Sequence, residues 1–107
     1  MAYDKALIAL ADPTRRAIVE SIAKSPSPVG QIAATLPVSR PAVSQHLKVL
    51  SDAGLLHVER QGTRRIYALD PRGWWALRTY LDTLWTDALT AFADAAEIEA
   101  TQTPEKS

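Results

Sequence analysis

The sequence predicts a mainly α-helical fold with one small β-hairpin, in the order α-α-α-α-β-β-α. Three observations predict it. Apolar residues recur three and four apart over most of the chain, which is the spacing of one face of a helix. Pro13 and Pro28 directly follow a residue able to cap a helix (Asp12, Ser27), Pro41 lies in the first turn after Ser39, and proline in a first turn helps start a helix. Only the stretch LLHVERQGTRRIYAL changes to alternation, on either side of Gly62. A chain of 107 residues is enough for one domain and too short for two ordinary ones.

The elements follow in order. Residues 3–11 carry Tyr3, Leu7 and Leu10 on one side of a short helix. In ADPTRRAIVESIA, the Asp12 carboxylate can accept from the first turn. Pro13 fits the first helical position, where its missing N–H would be unpaired anyway, and Ala17, Ile18 and Ile22 recur on one face. The prolines of KSPSP break that helix. Ser27 and Pro28 are expected to cap and open a third, through Val29, Ile32, Ala33 and Leu36, ended by Pro37. The next helix, VSRPAVSQHLKVL, opens on Ser39 with Pro41 in its first turn. Val43, Leu47 and Leu50 form its inward stripe, Pro41, Ser44, Gln45 and Lys48 face the other way, and His46 lies on the flank. Gly54 closes it. In the hairpin, Leu56 and Val58 alternate with His57 and Glu59, and Ile66 and Ala68 with Tyr67 and Leu69. Pro71 and Gly73 separate the hairpin from a long last helix, about residues 73–98. Its Trp74, Leu77, Leu81, Leu84, Trp85, Ala88, Leu89 and Phe92 fall within an arc of about 140°. Residues 1–98 are expected to form a single domain, and residues 99–107 a flexible polar tail.

Composition excludes several functions. With no cysteine there are no disulfides, no thiol redox sensor and no thiolate metal site. Two histidines, His46 and His57, argue against a histidine-rich zinc site within one chain. No Ser–His–acid set and no phosphate loop stand out, so an enzyme is not expected. No apolar run approaches the roughly 18 residues of a membrane span. MAYDKALIAL lacks the basic cluster of a secretory signal. The protein is expected to be cytoplasmic, with no membrane partner.

Net charge is zero but uneven. Residues 13–78 hold ten bases against four acids, whereas residues 79–107 hold one base against six acids. A basic middle beside an acidic end suggests that the middle faces a polyanion.

The two helices around Leu36-Pro37-Val38-Ser39 have the spacing of a helix-turn-helix, whose second helix enters the major groove of DNA. A helix between phosphates cannot carry acids on its outer face, and 38–50 carries none. Ser44 and Gln45 are short enough to reach base edges. Arg40 can reach guanine or a phosphate, and Lys48 suits a phosphate at the groove edge. Arg60, Arg64 and Arg65 crowd the hairpin tip with Gln61, Gly62 and Thr63, which makes the hairpin a wing placed to follow the DNA backbone. The DNA-binding candidates are therefore Ser39, Arg40, Pro41, Ala42, Ser44, Gln45, His46, Lys48, Arg60, Thr63, Arg64 and Arg65. The alternative is a winged-helix module whose arginines bind an acidic protein. Such a module calls for large apolar anchors on the outer face of 39–50, where Ser, Gln, Ala and Lys stand instead.

ALADPTRRAIVESIA, VGQIAATLPVSRPAVSQHLKVLSDAGLL and ERQGTRRIYAL closely resemble the ArsR/SmtB family of bacterial winged helix-turn-helix repressors, over residues 7–92. The resemblance implies a homodimeric transcriptional repressor that binds an inverted repeat, often in its own promoter. It also implies a dimer interface on the first and last helices: Tyr3, Leu7 and Leu10 with Trp74, Leu77, Leu81, Leu84, Trp85, Ala88 and Phe92. The residues agree, since a stripe with two tryptophans and a phenylalanine exceeds what so small a domain needs to cover its own sheet. Many members sense metal through cysteines before the turn or through Asp and His on the last helix. Here VGQIAATL and GWWALRTYLDTLWTDALTAF hold no Cys or His, so no metal and no cofactor is expected and the inducer is left open. Asp82, Asp87 and Asp94 read as a solubilising face. Trp75 and Tyr80 fall outside the apolar arc and are candidates for contacts beyond it.

Overall fold

The structure is a computed structural model that describes residues 2–102. Its elements are α1 (Ala2–Leu10), α2 (Pro13–Lys24), α3 (Val29–Ala34), α4 (Arg40–Asp52), β1 (Leu56–Gln61), β2 (Arg64–Leu69) and α5 (Pro71–Gln102). By contacts the chain divides after Leu77 into two compact units. No helix among the described residues is long and apolar enough to cross a membrane.

The first unit is built on Ile18 and Ile22 of α2, Ile32 of α3, Val43, Leu47 and Leu50 of α4, and Leu55. All are essentially sealed from solvent. Each such side chain contributes roughly 1.5–3 kcal/mol of transfer free energy, and together they bind the helices into one core. Ala6 and Ala9 of α1 and Leu77 of α5 join the same cluster.

Helix starts follow local chemistry. Asp12 accepts from the backbone of Thr14 (2.8 Å) and Arg15 (3.1 Å), with Pro13 beside it in the first turn. Ser39 accepts from Ala42 at 3.3 Å, and Pro41 is tolerated in that first turn. Ser27 does not cap α3. Its backbone pairs with Tyr67 instead, donating at 3.1 Å and accepting at 2.9 Å, and this adds a one-residue third strand to the free edge of β2. The cap position falls to Pro28, without a side-chain bond, and α3 stops at Ala34, so Leu36 lies in the turn. The last helix starts earlier than expected. Asp70 accepts from the Arg72 backbone at 3.0 Å and Pro71 takes the first position, so this proline opens α5. Beyond residue 98 the chain is still helical to Gln102, and the rest of the expected tail lies outside the described residues.

Gly54 ends α4 with φ +80°, a conformation costly for any residue with a Cβ. The Leu55 N–H reaches the Leu50 carbonyl and the Gly54 N–H the Ser51 carbonyl, both at 3.0 Å, which closes a Schellman motif. Leu55 is then gripped from α5: its carbonyl accepts from the Asp70 backbone at 3.0 Å and from the Trp74 indole at 3.0 Å. Gly73 makes that approach possible, since a Cβ there would lie 1.8 Å from the Gly54 oxygen.

The hairpin turns at Gly62-Thr63. A positive φ at Gly62 (+65°) but not at Thr63 matches a two-residue type II′ turn. Its register pairs Leu56 with Leu69, Val58 with Tyr67 and Arg60 with Arg65 on one face. His57 with Ala68, Glu59 with Ile66 and Gln61 with Arg64 lie on the other. The apolar pairs of the two strands therefore lie on opposite faces, and the hairpin root is buried on both sides through Leu56, Ile66 and Ala68.

The second unit is the α5 continuation from Arg78. Leu81, Leu84, Trp85, Leu89 and Phe92 are 44–75% exposed along it. Arg78 pairs with Asp82 at 3.7 Å.

Candidate nucleic-acid interface

The wing, the start of α4 and the first turn of α3 border one open groove of about 670 Å³ in the first unit. Arg40 and Ser44 line it from α4, Thr63, Arg64 and Arg65 from the wing, and Gln31 from α3. Tyr67 and the backbone around Gly30 complete the lining, and no acid is among these residues. The helix-turn-helix thus holds α4 so that its polar face looks toward the wing, while Val43, Leu47 and Leu50 anchor the other side in the core.

Eight of the ten cations of the basic middle fall into two groups. Arg15 donates to the Ala9 carbonyl (2.7 Å) and Arg16 to the Leu10 carbonyl (2.9 Å), so both satisfy the open end of α1. Arg72 holds Asp70 (3.0 Å), and Lys48 reaches Asp52 (3.4 Å) on the same helix. By contrast, Arg40, Arg60, Arg64 and Arg65 have no carboxylate partner among the described residues. Arg60 and Arg65 stand directly across the hairpin from each other. Like charges so placed repel, and a bound anion between or beside them removes the penalty. The wing's one acid, Glu59, is engaged by His57 at 2.9 Å.

The other expected residues take distinct places. Ser44 and Gln45 are exposed on α4, as is Pro41. The Ser39 hydroxyl is used as the cap. Ala42 is half-buried. His46 is half-buried too and turns inward, its Nδ1 3.5 Å from the Arg15 guanidinium, which places it at the α2 contact and away from the groove. Gln31 and Tyr67 line the groove and were not expected. Gln31 gives only the weak signal of a polar residue in the first helix of the motif, and Tyr67 reads as strand. Of the residues expected at the dimer surface, Leu77 is buried in the core and Trp74 bonds to Leu55. Tyr3 and Leu10 pack partly against the same core, and Leu7 is 38% exposed. Leu81, Leu84, Trp85, Ala88 and Phe92 are exposed.

Two carboxylates are held below their usual range. The Arg15 backbone N–H is the main cause at Asp12, and the Arg72 side chain at Asp70. Both act on the frame that carries the groove. No group of three His, Cys, Asp or Glu side chains comes together among the described residues.

Comparison with known proteins follows the same lines. Residues 10–59 match the family described as helix-turn-helix domain. The chain is 58% identical over 100 residues to the HTH-type transcriptional regulator Rv2034 of Mycobacterium tuberculosis, covering 94% of each. It is 44% identical over 63 residues to the HTH-type transcriptional repressor SmtB of the same species, covering 59% of this chain and 47% of that one. Among solved structures, an ArsR-like transcriptional regulator from Rhodococcus sp. RHA1 superposes with a TM-score of 0.81 at 24% identity, over 91% of this chain and 92% of that one. A homodimeric winged helix-turn-helix DNA-binding domain from Mycobacterium bovis, described as a possible ArsR-family regulator, superposes with a TM-score of 0.64 at 23% identity over 80% of each.

Proposed function

Because the chain belongs to the ArsR/SmtB family of winged helix-turn-helix transcriptional regulators, we propose that it is a dimeric repressor of an inverted-repeat operator, its own promoter included. The observation that carries this reading is the acid-free groove between α4 and the wing, bordered by Arg40, Arg64 and Arg65, which have no carboxylate partner among the described residues. Duplex DNA supplies the missing anions, and the short polar side chains of Ser44 and Gln45 suit base edges. Two protomers fixed on one operator repress by covering the site.

The dimer is supported by the second unit. Leu84, Trp85 and Phe92 are 50%, 67% and 75% exposed, more large apolar surface than a lone helix keeps in water. A second copy that lays its own α5 stripe against this one buries both. The surface of α1 around Leu7 is the other expected part of that interface. The homodimeric state of the Mycobacterium bovis domain supports pairing of two copies.

An acidic protein as the partner has less support, since the outer face of α4 offers Ser44, Gln45 and Lys48 and no aromatic anchor. The inducing signal in this reading is not a metal bound at the family's cysteine or histidine positions, which this sequence lacks. An electrophoretic shift with the DNA upstream of the protein's own gene tests the reading. A retarded complex at low salt that survives unrelated competitor DNA is expected, and no shift with any inverted repeat from that region contradicts it.

A further inference from the structure

The fate of Arg40 separates two ways of using the groove. A side chain at the start of a recognition helix can point along the helix toward base edges, or across it toward the backbone of the DNA. In this structure it goes across. The Arg40 guanidinium carbon lies 3.8 Å from where a Cβ would stand on Gly30, so it rests on α3. A Cβ at position 30 would sit in ordinary contact with the guanidinium, and only a side chain longer than alanine would reach into the space it fills. Arg64 and Thr63 of the wing, Gln31 of α3 and Ser44 of α4 line the same groove.

We propose that this groove seats a phosphate of the DNA backbone, with Arg40 and Gln31 gripping it from the α3–α4 side and Arg64 from the wing. Arg40 is then a phosphate ligand and not a base reader, and base choice is left to Ser44 and Gln45. This rests on the DNA-binding reading above and deepens it. The chemistry fits a phosphodiester: guanidinium groups match its paired oxygens, and an amide and hydroxyls donate to what remains. A guanidinium would also match the paired N7 and O6 acceptors of guanine, and it is the course of Arg40 across the groove onto α3 that assigns it to the phosphate.

The test is a set of binding titrations on an operator duplex and on a scrambled duplex of equal length, each from 0.05 to 0.3 M salt. The proteins are the wild type, Arg40→Ala, Gln31→Ala and Gly30→Ala. Arg40 and Gln31 are exposed, so their variants keep the fold, which circular dichroism verifies. Arg40→Ala is expected to weaken both duplexes alike, about tenfold at 0.1 M salt. It should also make the log–log salt slope shallower, by up to the ~0.9 of one phosphate contact, because Arg64 keeps a charge on the same phosphate. Gln31→Ala is expected to weaken both alike with the slope unchanged, since it carries no charge. Gly30→Ala, whose new methyl stays in ordinary contact with Arg40, is expected to bind like the wild type. A loss confined to the operator with the slope unchanged would make Arg40 a base reader and overturn the proposal, as would no loss with either duplex. If the wild type itself binds neither duplex, the DNA-binding reading fails first, and the phosphate seat with it.

Discussion

Gly73 and Gly54 meet where the recognition helix hands over to α5. A Cβ on residue 73 would stand 1.8 Å from the Gly54 oxygen, and that oxygen belongs to a turn fixed by Leu55. Gly73→Ala must therefore push the first turn of α5 away from α4. We expect it to cost at least ~2 kcal/mol in a urea titration, with a lowered midpoint and an unchanged slope. An unchanged midpoint would mean that the two turns separate freely. Asp12 and Asp70 give a residue-scale prediction in pH. Each carboxylate is held below its ordinary value of 3.8 by groups it meets only in the folded chain. Their stabilising effect is therefore complete above that value and is lost as the pH falls through the lower, folded one. Asp12→Asn and Asp70→Asn should melt below the wild type at pH 6, and the gap should narrow toward pH 2–3. A gap that widens on acidification would contradict the sign.

At the scale of elements, the proposed function divides the labour between α4 and the wing. Arg64→Ala with Arg65→Ala should weaken cognate and unrelated DNA together and flatten the salt slope by ~1 per arginine that touches a phosphate. Ser44→Ala or Gln45→Ala should relax base preference by roughly 1–3 kcal/mol for each lost base contact and leave the slope in place. A competition assay with single-base operator variants separates the two, and equal effects from both pairs would contradict the division. This is also the scale at which the sequence was most legible. Asp12, Ser39 and Gly54 act on backbone groups within a few residues, so their roles follow from local spacing. Ser27 departs from its expected cap because its partner, Tyr67, lies far along the chain, and no local pattern announces that bridge. Arg15 and Arg16 look like part of a basic surface when charges are counted, yet they close the end of α1. Counting bases locates a charged region, but only contacts tell which bases are left for DNA. The same holds for His46, read from its position on the helix and turned in the structure toward Arg15.

For the whole molecule, the account needs two copies. Leu84→Glu with Trp85→Glu puts charges into the expected contact, and sedimentation should then find the monomer where the wild type is dimeric. Both side chains are already exposed, so the first unit should keep its fold. Operator affinity should fall steeply while a single half-site is bound as before. A variant that stays dimeric would move the interface elsewhere. Zinc is a further test. Titrating the protein–operator complex with stoichiometric zinc should release nothing, and release would reveal a metal site that this reading does not contain.

The most direct measurement is the stoichiometry and salt dependence of binding to an inverted repeat with half-sites one DNA turn apart, ~34 Å. If each of two protomers sets Arg40 and Arg64 on one phosphate and Arg60 and Arg65 on two others, the complex holds two chains per duplex and log Kd changes with log salt by about 5. One chain per duplex, or affinity indifferent to salt, would contradict it.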